Sequence, residues 1–103
     1  MGTAVVYFHQ AMHAGTGGRI PITEEPELLR VTVTTNNSTA TSSAVAPEQS
    51  DIAIVVPSED MYYRVHTLTD TTDASSDDKT ASASTERTIA INPGAAISFL
   101  DVS

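Results

Sequence analysis

Apolar and polar residues alternate most clearly over Leu29–Thr34, where Leu29, Val31 and Val33 interleave with Arg30, Thr32 and Thr34. A period of two sends successive side chains to opposite faces of an extended chain. This segment is therefore predicted to be a strand with one buried and one wet face. Met61, Tyr63 and Val65 interleave with Tyr62, Arg64 and His66 in the same way, in a strand running to about Leu68. Ile52, Ile54 and Val56 mark another strand, closed by Pro57. Only the polar turn Ser58-Glu59-Asp60 separates Pro57 from Met61, which predicts a hairpin between these two strands.

The remaining elements are less periodic. Ala4-Val5-Val6-Tyr7-Phe8 is a continuous apolar run of strand length. His9 to Gly18 follows as a loop ending in Gly15-Thr16-Gly17-Gly18. Arg19-Ile20-Pro21-Ile22-Thr23 alternates, and Pro21, having no N–H to donate, assigns it to a sheet edge. Glu24-Glu25-Pro26-Glu27 reads as a charged turn. Residues 36–50 form a long polar connection interrupted only by Ala44-Val45-Ala46. Residues 69–84 hold no large apolar residue, so they are expected to be a second polar loop, mobile because nothing in them offsets the entropy of ordering. Thr88-Ile89-Ala90-Ile91 is a strand, and Asn92-Pro93-Gly94 suits a type II turn with Pro at its second and Gly at its third position. In the last strand, Ala95 to Val102, Ile97 and Phe99 share one face and Leu100 and Val102 the other. Apolar residues on both faces predict cover on both sides, by the core and by a neighbour.

No segment reads as a helix. Six or seven short antiparallel strands in one domain, residues 1–103, predict a small β-sandwich or flattened barrel. Composition agrees. Nine Val, seven Ile and fifteen Thr outweigh four Leu, and β-branched side chains suit a pleated surface. A chain of 103 residues buries only about 60–65% of its unfolded surface. Self-association, or docking on a larger body, is therefore expected.

Charge and chemistry narrow the function classes. Thirteen Asp and Glu against five Lys and Arg leave a formal charge of −8, so nucleic acid and anionic membranes are not expected as partners. There is no Cys, which excludes disulfides and thiolate metal sites. No apolar run approaches the roughly 18–20 residues that span a bilayer. Met1-Gly2-Thr3-Ala4-Val5-Val6-Tyr7 carries neither a secretion signal's basic segment nor the Ser or Thr at position 6 of a myristoylation motif. His9 and His13 stand four apart, but no third ligand is near in sequence, and Asp70, Asp73, Asp77 and Asp78 lack calcium-loop spacing. Gly15-Thr16-Gly17-Gly18-Arg19 lacks the Lys-Ser/Thr ending of a phosphate loop, and there is no Gly-x-Ser-x-Gly. Glu24, Glu25 and Glu27 read as solvated rather than as a catalytic pair across a cleft. No cofactor, metal or catalytic residue is implied, and the chain is read as a non-enzyme.

Candidate contact residues come instead from the strands. Tyr62, Arg64 and His66 form the outward face of their strand if Met61, Tyr63 and Val65 face the core, and Tyr and Arg favour interface centres. The two densest apolar runs contribute Val5, Tyr7 and Phe8 at the start and Phe99 and Leu100 at the end. A small sandwich has little interior to cover both faces of both runs, so one face is expected to meet a neighbouring copy or another protein.

The order of strands and polar stretches resembles that of the small virion proteins encoded beside the major capsid protein of many tailed phages. The resemblance lies in the opening apolar strand, the Ser/Thr/Ala-rich stretch before Asp51-Ile52-Ala53-Ile54-Val55-Val56, and the strand Met61-Tyr62-Tyr63-Arg64-Val65 with its polar Asp/Thr/Ala/Ser sequel. It continues in Thr88-Ile89-Ala90-Ile91-Asn92-Pro93-Gly94 leading into Ile97-Ser98-Phe99-Leu100. Arg19-Ile20-Pro21-Ile22 and the 36–50 connection have no counterpart in that pattern. The resemblance implies an all-β decoration (cement) protein on the capsid exterior, assembled in the host cytoplasm, with the major capsid protein as partner and a homo-oligomeric state. The alternatives are another virion position, such as a head fibre base, a connector or a tail protein, and a non-viral sandwich binding module.

Overall fold

The computed structural model describes residues 2–13, 21–23, 28–67 and 69–102, with backbone alone for 11–13 and 21–23. Ten strands are present and no helix among these residues: β1 Gly2–His9, β2 Ala11–His13, β3 Pro21–Thr23, β4 Leu29–Thr35, β5 Thr41–Ser42, β6 Ile52–Pro57, β7 Met61–His66, β8 Lys79–Ala81, β9 Arg87–Ala90 and β10 Ala96–Asp101. Eight of them make two four-stranded antiparallel sheets, ordered β4-β1-β6-β9 and β5-β10-β7-β8, while β2 and β3 form a separate ribbon. The protein is an all-β sandwich.

Taken cyclically from β4, the strands fall in the first, second, first, second, second, first and second sheets, and return at β1 to the first. With the neighbour order in each sheet, this is a jelly roll, the eight-strand double Greek key, opened between β10 and β1. The two ends of the strand set meet accordingly. Thr35 pairs with Gly2 across the β1–β4 ladder, and its hydroxyl donates to Asp101 Oδ1 at 2.5 Å.

Register selects the core. Ala4, Val6 and Phe8 on β1 stand opposite Val33, Val31 and Leu29 on β4, and all but Leu29 pack inward. From the second sheet come Met61, Tyr63 and Val65 of β7 and Ile97 and Phe99 of β10. The alternations in β4 and β7 thus have the phase that the sequence predicts, and of the two apolar faces of β10 the one with Ile97 and Phe99 meets the core. At the sandwich edge, the Arg87 guanidinium lies 5.3 Å from the centre of the Tyr63 ring, a cation–π contact. The Asn92–Ala95 turn closes with Ala95 N–H donating to Asn92 C=O at 3.1 Å, and Gly94 takes the φ of 85° that a type II turn requires.

Three expectations are corrected. The predicted hairpin across Ser58-Glu59-Asp60 does not form, because β6 and β7 lie in different sheets and residues 58–60 carry the chain between them. For β6, to which the sequence assigns no buried face, Ala53 and Val55 face the core, while Ile54 and Val56 stand opposite Tyr7 and Val5 on the outer face. The predicted loop from His9 contains β2, which pairs with the Pro21–Thr23 strand. The polar stretches 36–50 and 69–84 contain β5 and β8, paired with β10 and β7. The glycine stretch 15–18, Arg19 and Ile20, the Glu24–Glu27 turn and Leu68 lie outside the described residues.

Candidate functional site: the two outer sheet faces

The sandwich has two outer faces, and the chain treats them differently. On the second sheet the outward positions are Tyr62, Arg64 and His66 of β7 beside Leu100, Ser98 and Ala96 of β10. Segment 69–78 folds across them. Ala74 N–H donates to the buried Ser98 Oγ at 2.9 Å. Arg64 holds Asp70 Oδ2 at 2.9 Å and Asp78 Oδ1 at 3.2 Å through its two terminal nitrogens. His66 Nε2 lies 3.5 Å from Asp73 Oδ1.

Local turns supply the other half of this latch. Asp70 Oδ1 accepts from Thr72 N–H, and Asp78 Oδ2 accepts from Ser75 N–H. Thr67 Oγ1 accepts from Asp70 N–H, as Thr, Ser and Asp side chains do in tight turns. The hydrogen bonds from Thr72, side chain and then backbone, together with the Arg64 guanidinium, hold the Asp70 carboxyl down at about 2, from an ordinary 3.8. The same contacts, to Asp70 first and Asp78 next, raise Arg64 above its ordinary value. The cover that the sequence predicts over the last strand is therefore supplied by the chain itself.

On the first sheet, no segment among the described residues is hydrogen-bonded across the centre, although His9 and Ile52 at one end are buried. The outward positions are Thr3, Val5, Tyr7 and His9 of β1, Arg30, Thr32 and Thr34 of β4, Ile52, Ile54 and Val56 of β6, and Thr88 and Ala90 of β9. Val5, Tyr7, Ile54 and Val56 are half-buried and stand side by side as a contiguous apolar centre. Exposed Thr3, Thr32, Thr34, Thr88 and Arg30 rim it. None of these strand positions is Asp or Glu, although the chain holds thirteen acids.

The eight residues singled out from sequence thus divide three ways. Phe8 and Phe99 are fully buried in the core of this chain. Tyr62, Arg64, His66 and Leu100 lie on the latched face, with the Arg64 guanidinium already engaged. Val5 and Tyr7 lie on the open face. The sequence reading missed Ile54 and Val56 as members of this patch. The signal was present in Ile52-Ala53-Ile54-Val55-Val56, apolar at every position, which marks a strand with two apolar faces.

Among the described residues, no group of three or more His, Asp or Glu is placed to hold a metal ion. His9 is buried, and the side chain of His13 lies outside the description. A cavity of about 400 Å³ at the end of the sandwich is lined by Val65, Thr67, Thr69, Ala90, Ile91, Asn92, Pro93 and Ala95, none of them titratable. Comparison with known proteins finds no matching family model, no matching curated protein and no matching solved structure.

Proposed function

We propose that this protein is a structural virion component that docks on the exterior of a phage capsid and stabilises the shell, in the manner of a decoration (cement) protein. The observation that carries the reading is the asymmetry of the two outer faces. One is latched under the chain's own acidic loop, and the other carries an apolar centre whose strand positions include no Asp or Glu. The jelly-roll arrangement alone does not choose a function, since capsid, lectin and cupin domains share it.

Size supports docking on a repeating body. Strands spaced about 4.8 Å apart and about 20 Å long give a four-strand face of roughly 300–400 Å². That is about half of the roughly 800 Å² per partner of a stable pairwise interface. A single contact of this kind is weak, and a shell that offers hundreds of equivalent sites makes weak contacts useful through multivalency.

The test is co-sedimentation with purified particles of the variants Tyr7→Glu and Val56→Glu, which place a carboxylate on the open face without touching the core. Both are expected to keep the wild-type melting profile and lose particle loading. Wild-type occupancy by both variants overturns the reading. Heads lacking the protein are expected to assemble and to lose resistance to heat or chelation, and failure of head assembly excludes a decoration role.

A further inference from the structure

The first sheet ends in β4, and the outer edge of β4 is unpaired among the described residues. Its hydrogen-bonding phase follows from two bonds. Ser58 N–H donates to Thr3 C=O at 2.8 Å, so Thr3, Val5 and Tyr7 aim their backbone groups at β6. Backbone direction alternates along a strand, so Ala4, Val6 and Phe8 serve β4. Their partners Val33, Val31 and Leu29 are thereby satisfied, while Arg30, Thr32 and Thr34 point N–H and C=O outward. Asn36 confirms the phase: its carbonyl also points away from β1 and accepts from Asp101 N–H at 3.0 Å. Among the described residues, the free edge is therefore Arg30–Thr34.

We propose that this edge pairs with the same edge of a second copy, antiparallel and centred on Thr32. In that register Thr32 exchanges both bonds with Thr32 of the second copy, and Arg30 does the same with Thr34. Val31 stands opposite Val33, so every direct pair is β-branched with β-branched or Arg with Thr. A two-fold contact requires such self-complementarity. The only charge on the edge, Arg30, meets a hydroxyl rather than its own kind. The strand has no Pro, Lys or inward charge to discourage pairing, and Leu28 and Leu29 at its start are 40% and 36% exposed. No residue of the edge itself is acidic, and repulsion between two chains of −8 is screened by salt.

The two-fold axis of an antiparallel pair stands normal to the sheet. Both open faces, each centred on Val5, Tyr7, Ile54 and Val56, therefore point the same way and double the docking area. This last consequence rests on the docking reading; the pairing itself does not. The experiment uses purified protein without particles, so it fails or succeeds independently of capsid binding.

Sedimentation equilibrium is expected to show a monomer–dimer equilibrium that tightens between about 0.01 M and about 0.15 M salt, as the screening length falls from about 30 Å to about 8 Å. Thr32→Pro removes an outward N–H while sparing the bonds to β1, and Thr32→Lys sets like charges opposite each other on an exposed site. Each is expected to weaken dimerisation at least tenfold, whereas Thr32→Val leaves it within about twofold. Lys covers the case in which Pro disturbs the fold. A wild-type protein that stays monomeric at millimolar concentration overturns the proposal. So does a dimer that Thr32→Lys leaves unchanged.

Discussion

Single residues set the stability of this sandwich where burial or backbone geometry leaves no substitute. Phe8 and Phe99 are fully enclosed, one from each sheet. Truncating either to Ala is expected to cost about 3–5 kcal/mol in denaturant unfolding, through lost transfer energy and the cavity left behind. Gly94 holds a φ of 85° that a side chain resists, so Gly94→Ala is expected to destabilise by about 1–2 kcal/mol. Gln49 holds a φ of 72° with a side chain in place, in a turn where Ser50 N–H donates to Pro47 C=O. Relief of that strain makes Gln49→Gly stabilising by about 1 kcal/mol or less in the same assay. The hydroxyl of Ser98 is the partner of a buried N–H, that of Ala74. Ser98→Ala is expected to cost about 1–3 kcal/mol and to speed amide exchange at Ala74.

At the scale of elements, the informative one is the latch over β7 and β10. It lacks large apolar side chains, and yet buried Ala74 and the bonds to Arg64 and Ser98 tie it to the sheet. The depressed Asp70 carboxyl gives the sign of its pH dependence. A carboxyl whose folded value lies below its unfolded value stabilises the fold above the unfolded value, and that stabilisation is lost as pH falls through the folded one. The latch is therefore expected to persist at pH 4 and to open between about pH 4 and pH 2. An NMR titration of the Asp70 carboxyl, with amide exchange at Thr72 and Ala74, reads this directly, and titration near 3.8 contradicts it. Arg64→Ala is expected to raise exchange across 70–78 while the β7–β10 ladder stays protected.

For the whole molecule, the consequence lies in the opening of the jelly roll between β10 and β1. Gly2 and Asp101 both meet Thr35, one through the ladder and one through its hydroxyl. A linker of about four residues can join the ends, and new ends between Glu48 and Gln49 fall in an exposed turn. Such a permutant is expected to fold and to melt within a few degrees of the wild type. Deleting residues 2–8 is a different matter, since β1 is the strand between β4 and β6. Loss of the far-ultraviolet β signal and of the cooperative melt is expected from that deletion. The contrast separates the position of the termini from the importance of the terminal strand.

Strand identity and, for β4 and β7, the buried face were legible in the sequence, because a period of two states which side of a strand is apolar. The Pro93-Gly94 turn was legible too, since few residue pairs suit its dihedral angles. Which strand lies beside which was not. A three-residue polar link such as 58–60 serves equally as a hairpin turn or as a passage between sheets, and only the packing of both sheets around Phe8 and Phe99 decides between them. β6 is apolar on both sides, so its pattern carried no phase, and pairing with β1 selected Ala53 and Val55 for the interior. The latch was hidden for the same reason. Its anchors are Arg64 and Ser98, on strands that only the tertiary structure brings side by side. The pattern of residues determined that this chain forms strands and which faces most of them bury; the assembled sandwich decided which outer face its own chain covers and which it leaves open.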